Sequence, residues 1–356
     1  MRSGALGGSF WDGRSRTGLR AGLAVIVVSN LVGAASDVWQ DQRGPWSHPL
    51  APDWLLNLGG SPLVAVLLVA GTAAMVQFAR KPGQLAAGAL ALAAMALLVE
   101  ADGALNEGPK RHFFAPGLAL LGWLAGLAFA RLLARHSGRT RAELVAWQEI
   151  HAEMGAVAAL AGNYVDAVAS KLWHVGPGWA NDTTLRAVIL AHHPLGDGSL
   201  AGQYAHAVAG SAVASQVLSI ATLFVQGGAC LMLLGPRWRL AAGLAVFAFH
   251  CNVDLLAGIG YGPARTLLLL FCLPWPQVLP RVLHRWPRAV ALFAVAPPLT
   301  TPVISRTTLV RAGALALALV GATVLIARSL PIRSYTALHH SYTGDRAGPR
   351  AQHPQP

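Results

Sequence analysis

Residues 85–100, LAAGALALAAMALLVE, carry no charge before their final glutamate. Apolar residues fall at every angle around a helix drawn through them, so the stretch has no polar face to turn to water. A helix that is apolar all round is either the core of a large protein or a membrane span. A span needs roughly 20 apolar residues at about 1.5 Å each, and similar runs recur at 19–35, 62–78, 113–134, 154–172, 208–234, 240–259, 265–279 and 309–326. The pattern predicts an all-α fold: a polytopic transmembrane helical bundle of about nine spans. The run at 289–304 is also apolar, but Pro297, Pro298 and Pro302 interrupt it, and it reads as an interfacial or re-entrant segment.

Composition agrees with that reading. The chain of 356 residues is 54% hydrophobic and 12% charged, with a mean hydropathy of +0.49. Soluble domains average about 25% charged residues, so an ordinary soluble protein is excluded. A β-barrel would show alternating segments of roughly ten residues, which these runs do not. No internal repeat of fixed period is evident. Cys230, Cys251 and Cys272 all lie inside apolar runs, without the spacing of a zinc site or a disulfide framework.

The net charge is +12. In a soluble chain this excess would point to nucleic acid, but here the arginines sit between spans, where they act as topology signals and contacts for anionic lipid. The partner expected is the lipid bilayer, and no nucleic acid. With the N-terminus cytoplasmic, the inside loops carry Arg80 and Lys81, then Arg135, Arg139 and Arg141, then Arg237 and Arg239, then Arg281, Arg285 and Arg288. The outside loops are poorer in basic residues. Residues 1–18 read as a basic cytoplasmic lead before a retained first span, 19–327 as the transmembrane domain and 328–356 as a polar, disordered tail. The expected location is the cell membrane, as a multi-pass protein.

Two loops assigned to the outside are long. One, 39–61, carries Trp39, Trp46 and Trp54, which suit the headgroup level. The other, 173–207, holds His174, Asp182, His192, His193, Asp197 and His206, and residues 183–190 within it suit a short helix capped by Asn181 or Asp182. The histidine spacing matches no metal motif, and no metal site is expected.

Ionisable residues near an apolar span are costly, at about 2.5–3.5 kcal/mol each on insertion scales, and they mark function by default. Tyr164, Asp166 and Lys171 close the fifth run. At roughly 100° per residue, Asp166 and Lys171 lie about 140° apart, whereas Tyr164 and Lys171 share a face. Lys171 either snorkels to the headgroups or serves as a base in a water-accessible pocket. His250, Asn252 and Asp254 form a second cluster on the seventh run, where Asp254 lies four residues from His250 on one face and is placed to orient its imidazole. That pair could equally be a polar contact closing two helices together. Glu100 and His112 end the third and open the fourth runs, and could reach a common outer vestibule. Asp102, Asn106 and Glu107 read as a solvated loop, and Glu149, His151 and Glu153 as a solvated helix end.

At the Lys171 and His250 clusters the chain resembles the HTTM superfamily, the membrane module shared with vitamin K-dependent γ-glutamyl carboxylases. The resemblance rests on YVDAVASKL at 164–172 followed by Gly178-Trp179. It rests also on AFHCN at 248–252, the turn from Gly258 to Tyr261 and a leucine-rich run ending Cys272-Leu273-Pro274. It implies Lys171 as the base that deprotonates a quinone-type cofactor in its hydroquinone form, His250 in the catalytic region and His112 as a weaker match to a family position. Tyr164, Asp166, Asn252, Asp254, Glu100 and Trp179 would line the substrate pocket. Asp166 and Val168 replace small or apolar family residues, and Gln226 stands where many relatives carry an acid. Only Arg328–Pro356 follows the last run, so the large extracytoplasmic C-terminal domain of the carboxylases is not expected, nor is carboxylation of a propeptide-bearing substrate. Bacterial relatives lacking that domain include a type that matures a secreted peptide toxin.

Two functions follow. One is an enzyme acting on a quinone-like or lipidic substrate at the extracytoplasmic side. The other is a non-enzymatic membrane factor for maturation, export or tolerance of a secreted peptide. A transporter fits less well, because no inverted repeat is evident.

Overall fold

The computed structural model describes residues 16–39, 53–105, 115–134, 140–193 and 198–275. His112, the run at 309–326, the proline-interrupted segment at 289–304, most of the basic lead and the tail at 328–356 lie outside the described residues. Eleven α-helices occur among them: α1 (Arg16–Trp39), α2 (Asp53–Leu56), α3 (Pro62–Arg80), α4 (Leu85–Leu105), α5 (Ala115–Ala134), α6 (Arg141–Val175), α7 (Asp182–His192), α8 (Leu200–Gly210), α9 (Ala212–Gly227), α10 (Pro236–Ala257) and α11 (Gly262–Cys272). Tighter 3-10 turns follow α6 at Gly176–Ala180 and α9 at Gly228–Leu233. No strand occurs among the described residues.

Six helices are long and apolar enough to cross a membrane: Arg16–Trp39, Pro62–Arg80, Leu85–Leu105, Ala115–Ala134, Ala212–Leu233 (α9 with its 3-10 turn) and Pro236–Ala257. They fit an integral, multi-pass protein in a lipid bilayer. Two readings of the apolar runs need correction. The run at 208–234 is not one helix. Ser211 ends α8, its backbone N–H donating to Val208 O, and at once caps α9, its side chain accepting from Ala214 N. One serine pairs a backbone group at each helix end, so the apolar run breaks at Gly210-Ser211 without a proline. The run at 154–172 is the second half of a far longer helix. α6 starts at a capping box between Thr140 and Glu143 and continues for 35 residues, roughly 52 Å.

Glycine decides how closely α6 packs. A Cβ on Gly126 would collide with the His151 carbonyl, and one on Gly122 with the Gly155 carbonyl. These helices run antiparallel with their backbones touching, the arrangement that small residues permit in membranes. Around this seam lies the main core, where Trp123 meets Phe78 edge-on at 6.0 Å and Phe271 at 6.5 Å. A smaller second core joins Ile189 of α7, Ala205, Val208 and Ala209 of α8 and Leu256 of α10.

Candidate functional site

The C-terminal half of α6 carries two of the candidate side chains on one face. Tyr164 is buried, and its hydroxyl lies 2.7 Å from His250 Nε2 on α10. The imidazole also packs on the Tyr261 ring at 4.5 Å and on Phe249 at 5.3 Å. Tyr261 reaches it because α10 stops at Gly258, whose φ of 61° is left-handed and free of strain only in glycine.

Two turns further along α6, Lys171 is half-buried. Its ammonium donates to Ala167 O at 3.2 Å, one turn back along the helix, and to Gln226 Oε1 at 2.9 Å. Folding back in this way carries Nζ toward Tyr164. The Trp179 ring lies over Nζ at 5.2 Å, within cation–π range. Trp179 gets there through Gly176 (φ 68°), which ends α6 and lets the 3-10 turn double back, and Asn181 then caps α7. Gln226, 6% exposed, comes from the last turn of α9. The sequence flagged it only as a position without an acid; its role is visible once α9 lies against α6. Lys171 is therefore half-buried and engaged by named partners.

The remaining candidates divide. Trp179 joins the site. Asn252 and Asp254 lie beside it but are engaged: Asn252 Oδ1 accepts from the Tyr204 hydroxyl at 2.9 Å, and Asp254 accepts from Arg265 at 2.9 Å. Asp254 therefore does not orient His250, since the arginine of α11 is the stronger partner for a carboxylate. Asp166 is exposed, on a face of α6 turned away from Tyr164. Glu100 is exposed while Asp102 is buried, the reverse of the solvated-loop reading. α4 runs on to Leu105, and residues two apart on a helix face nearly opposite ways. In the loop helices, burial first and the adjacent His193 second hold the His192 imidazole below its usual pKa. Among the described residues no group of three His, Cys, Asp or Glu side chains is placed to hold a metal ion.

The reading of Glu149 and Glu153 as a solvated end is also corrected. Both are buried, at 5% and 0% exposure. Glu149 accepts from Arg20 at 2.7 Å, and Arg20 also donates to Ala79 O at 3.1 Å. Glu153 takes Arg239 at 2.6 Å through one oxygen and Arg16 at 3.5 Å through the other. Arg239 also meets Met154 Sδ at 2.8 Å. His151 turns back along its own helix to the Trp147 carbonyl at 2.9 Å. A signal for the cluster was available: Arg16 and Arg20 are four apart, as are Glu149 and Glu153, so each pair shares a helix face.

One regularity links cluster and site. Glu153 with Arg239, and Tyr164 with His250, are both separated by 86 positions. α6 and α10 thus run parallel in constant register, tied at two points eleven residues apart.

Comparison with protein-family models, with curated proteins and with solved structures finds no match.

Proposed function

We propose that the protein is an integral membrane enzyme of the HTTM type, acting on a quinone-like or lipidic substrate with Lys171 as base and His250 beside it. The observation that supports this most is the convergence of Lys171, Gln226, Trp179, Tyr164 and His250 from four elements onto one face of α6. A lysine held among such partners can serve as a general base. Gln226 is a neutral acceptor, so it positions Nζ without fixing its charge as a carboxylate would. A long-tailed substrate would reach the site from the bilayer, alongside the apolar face of α9, where Val213 and Phe224 are 72% and 76% exposed.

The test is Lys171→Met and His250→Ala in the native host, with membrane quinones and lipids profiled by mass spectrometry beside a deletion strain. Both variants are expected to reproduce the deletion profile at normal membrane levels. A wild-type profile from both overturns the reading.

The alternative, a non-enzymatic factor for a secreted peptide, draws on a different observation. Trp173 and Leu200 are each 86% exposed near the α7–α8 helices, an apolar surface at the Lys171 end of the bundle. Replacing both with serine would abolish peptide maturation on that reading and leave the enzyme reading untouched.

A further inference from the structure

The hydrogen at the Tyr164–His250 contact has a determined place. A phenol O–H carries one proton to donate, and leaving it unmatched in a buried site is costly. Tyr164 is 4% exposed, and His250 Nε2 is the only hydrogen-bond partner of its hydroxyl among the described residues. The proton therefore points to Nε2, which must be the bare, accepting nitrogen. A neutral imidazole with a bare Nε2 carries its hydrogen on Nδ1. His250 Nδ1 is itself buried and has no hydrogen-bond partner among the described residues. Asp254, the one acid a turn away on α10, is engaged by Arg265. The site thus contains an oriented N–H donor with nothing among the described residues to receive it.

We infer that Tyr164 is a positioning residue that fixes His250 as the Nδ1–H tautomer, and that the site therefore selects a ligand presenting an acceptor oxygen, such as the carbonyl of a quinone or ester. This deepens the proposed function and rests on it for the ligand, but the tautomer follows from the geometry alone. The opposite tautomer would leave two defects, a phenol proton without an acceptor and a bare Nδ1 without a donor. A ligand offering only a hydroxyl proton would then be preferred. Tyr261 and Phe249, packed on the imidazole, keep its plane from turning to another partner.

The experiment uses the full chain in lipid bilayers with ¹⁵N-labelled histidine, the His250 signals being those lost in His250→Gln. Magic-angle-spinning spectra separate protonated from bare ring nitrogens. Wild type is expected to show a protonated Nδ1 and a bare Nε2, with this preference lost in Tyr164→Phe. A protonated Nε2 in wild type overturns the inference, as does an unchanged Nδ1–H in Tyr164→Phe.

A short-chain 1,4-benzoquinone and a fatty-acid methyl ester are then added separately to wild type. A shift of the Nδ1 signal with either carbonyl compound, and none with an alkane of equal length, supports the acceptor-oxygen rule. A response to the ester alone keeps that rule and removes the quinone from the proposed function. No response to either compound overturns the rule itself.

Discussion

Asp254 and His250 stand one turn apart on α10, yet each is engaged by a residue of another helix: the carboxylate by Arg265, the imidazole by Tyr164. Spacing along one helix identifies neighbours on a face; it carries no information about a stronger partner arriving from elsewhere. The arginine of α11 wins because a guanidinium offers a full charge and a fixed fork of donors. Asp254→Asn should therefore leave the His250 signals in place while costing about 1–2 kcal/mol, as for weakening a charge-assisted hydrogen bond in a part-buried pair. The checks are the ¹⁵N histidine spectrum and the denaturation midpoint in detergent. A displaced His250 signal with unchanged stability would reverse the assignment. Lys171, Tyr164 and His250 were legible in the sequence as anomalies in apolar runs, and the resemblance supplied the roles proposed for them. Gln226 was not legible as a partner, because a glutamine in an apolar helix looks the same whether it meets a lysine or a backbone carbonyl.

Among elements, the spans were the most legible feature, since length and the absence of charge suffice to mark them. Their ends were less so. Ser211 divides α8 from α9 by hydrogen bonds that an average over apolar residues does not register. α6 ran past its apolar portion in the other direction, its first half being too charged to look like a span although Glu149 and Glu153 within it are buried. The reason is the α5–α6 seam, which holds both helices at backbone contact through Gly122, Gly126 and Gly155. A leucine at Gly126 would have to displace the His151 carbonyl, so the whole of α6 would move. Gly126→Leu should abolish a stable fold, whereas Gly162→Leu, at a position with open space around it, should leave the denaturation midpoint within about 0.5 kcal/mol of wild type. Fluorescence-detected size exclusion separates the two outcomes. Equal behaviour of the variants would show that the close approach does not matter.

In the molecule as a whole, the five-member ionic cluster ties the first helix to the sixth and tenth, residues more than two hundred positions apart in the chain. Buried pairs of this kind add little net stability over apolar replacements, but breaking one leaves a stranded charge and costs about 3–5 kcal/mol. Glu153→Gln, which removes the carboxylate shared by Arg16 and Arg239, should fall in that range. A loss below about 1 kcal/mol, read from the denaturation midpoint, would mean that the two guanidiniums are neutralised elsewhere. In sequence, the matched four-residue spacings were present on α1 and α6, but nothing local says that two such stripes face each other.

The equal offset of 86 between the partners at both ties has a mechanical meaning. One tie alone would be a pivot, about which the two rods could rock or slip. Two ties eleven residues apart, both on nearly the same azimuth of each helix, remove sliding and axial rotation together. A shift by one turn would break an ion pair and a phenol–imidazole bond at the same moment. A slip between α6 and α10 is therefore opposed at both ties, while the partners of Lys171 come from two further elements, Gln226 from α9 and Trp179 from the 3-10 turn. Spin labels at Ala158 and Leu244 should report one narrow distance under all conditions. Labels at Leu244 and Val217 should report whether α9, which lacks such a double tie, keeps its distance from α10 under the same conditions.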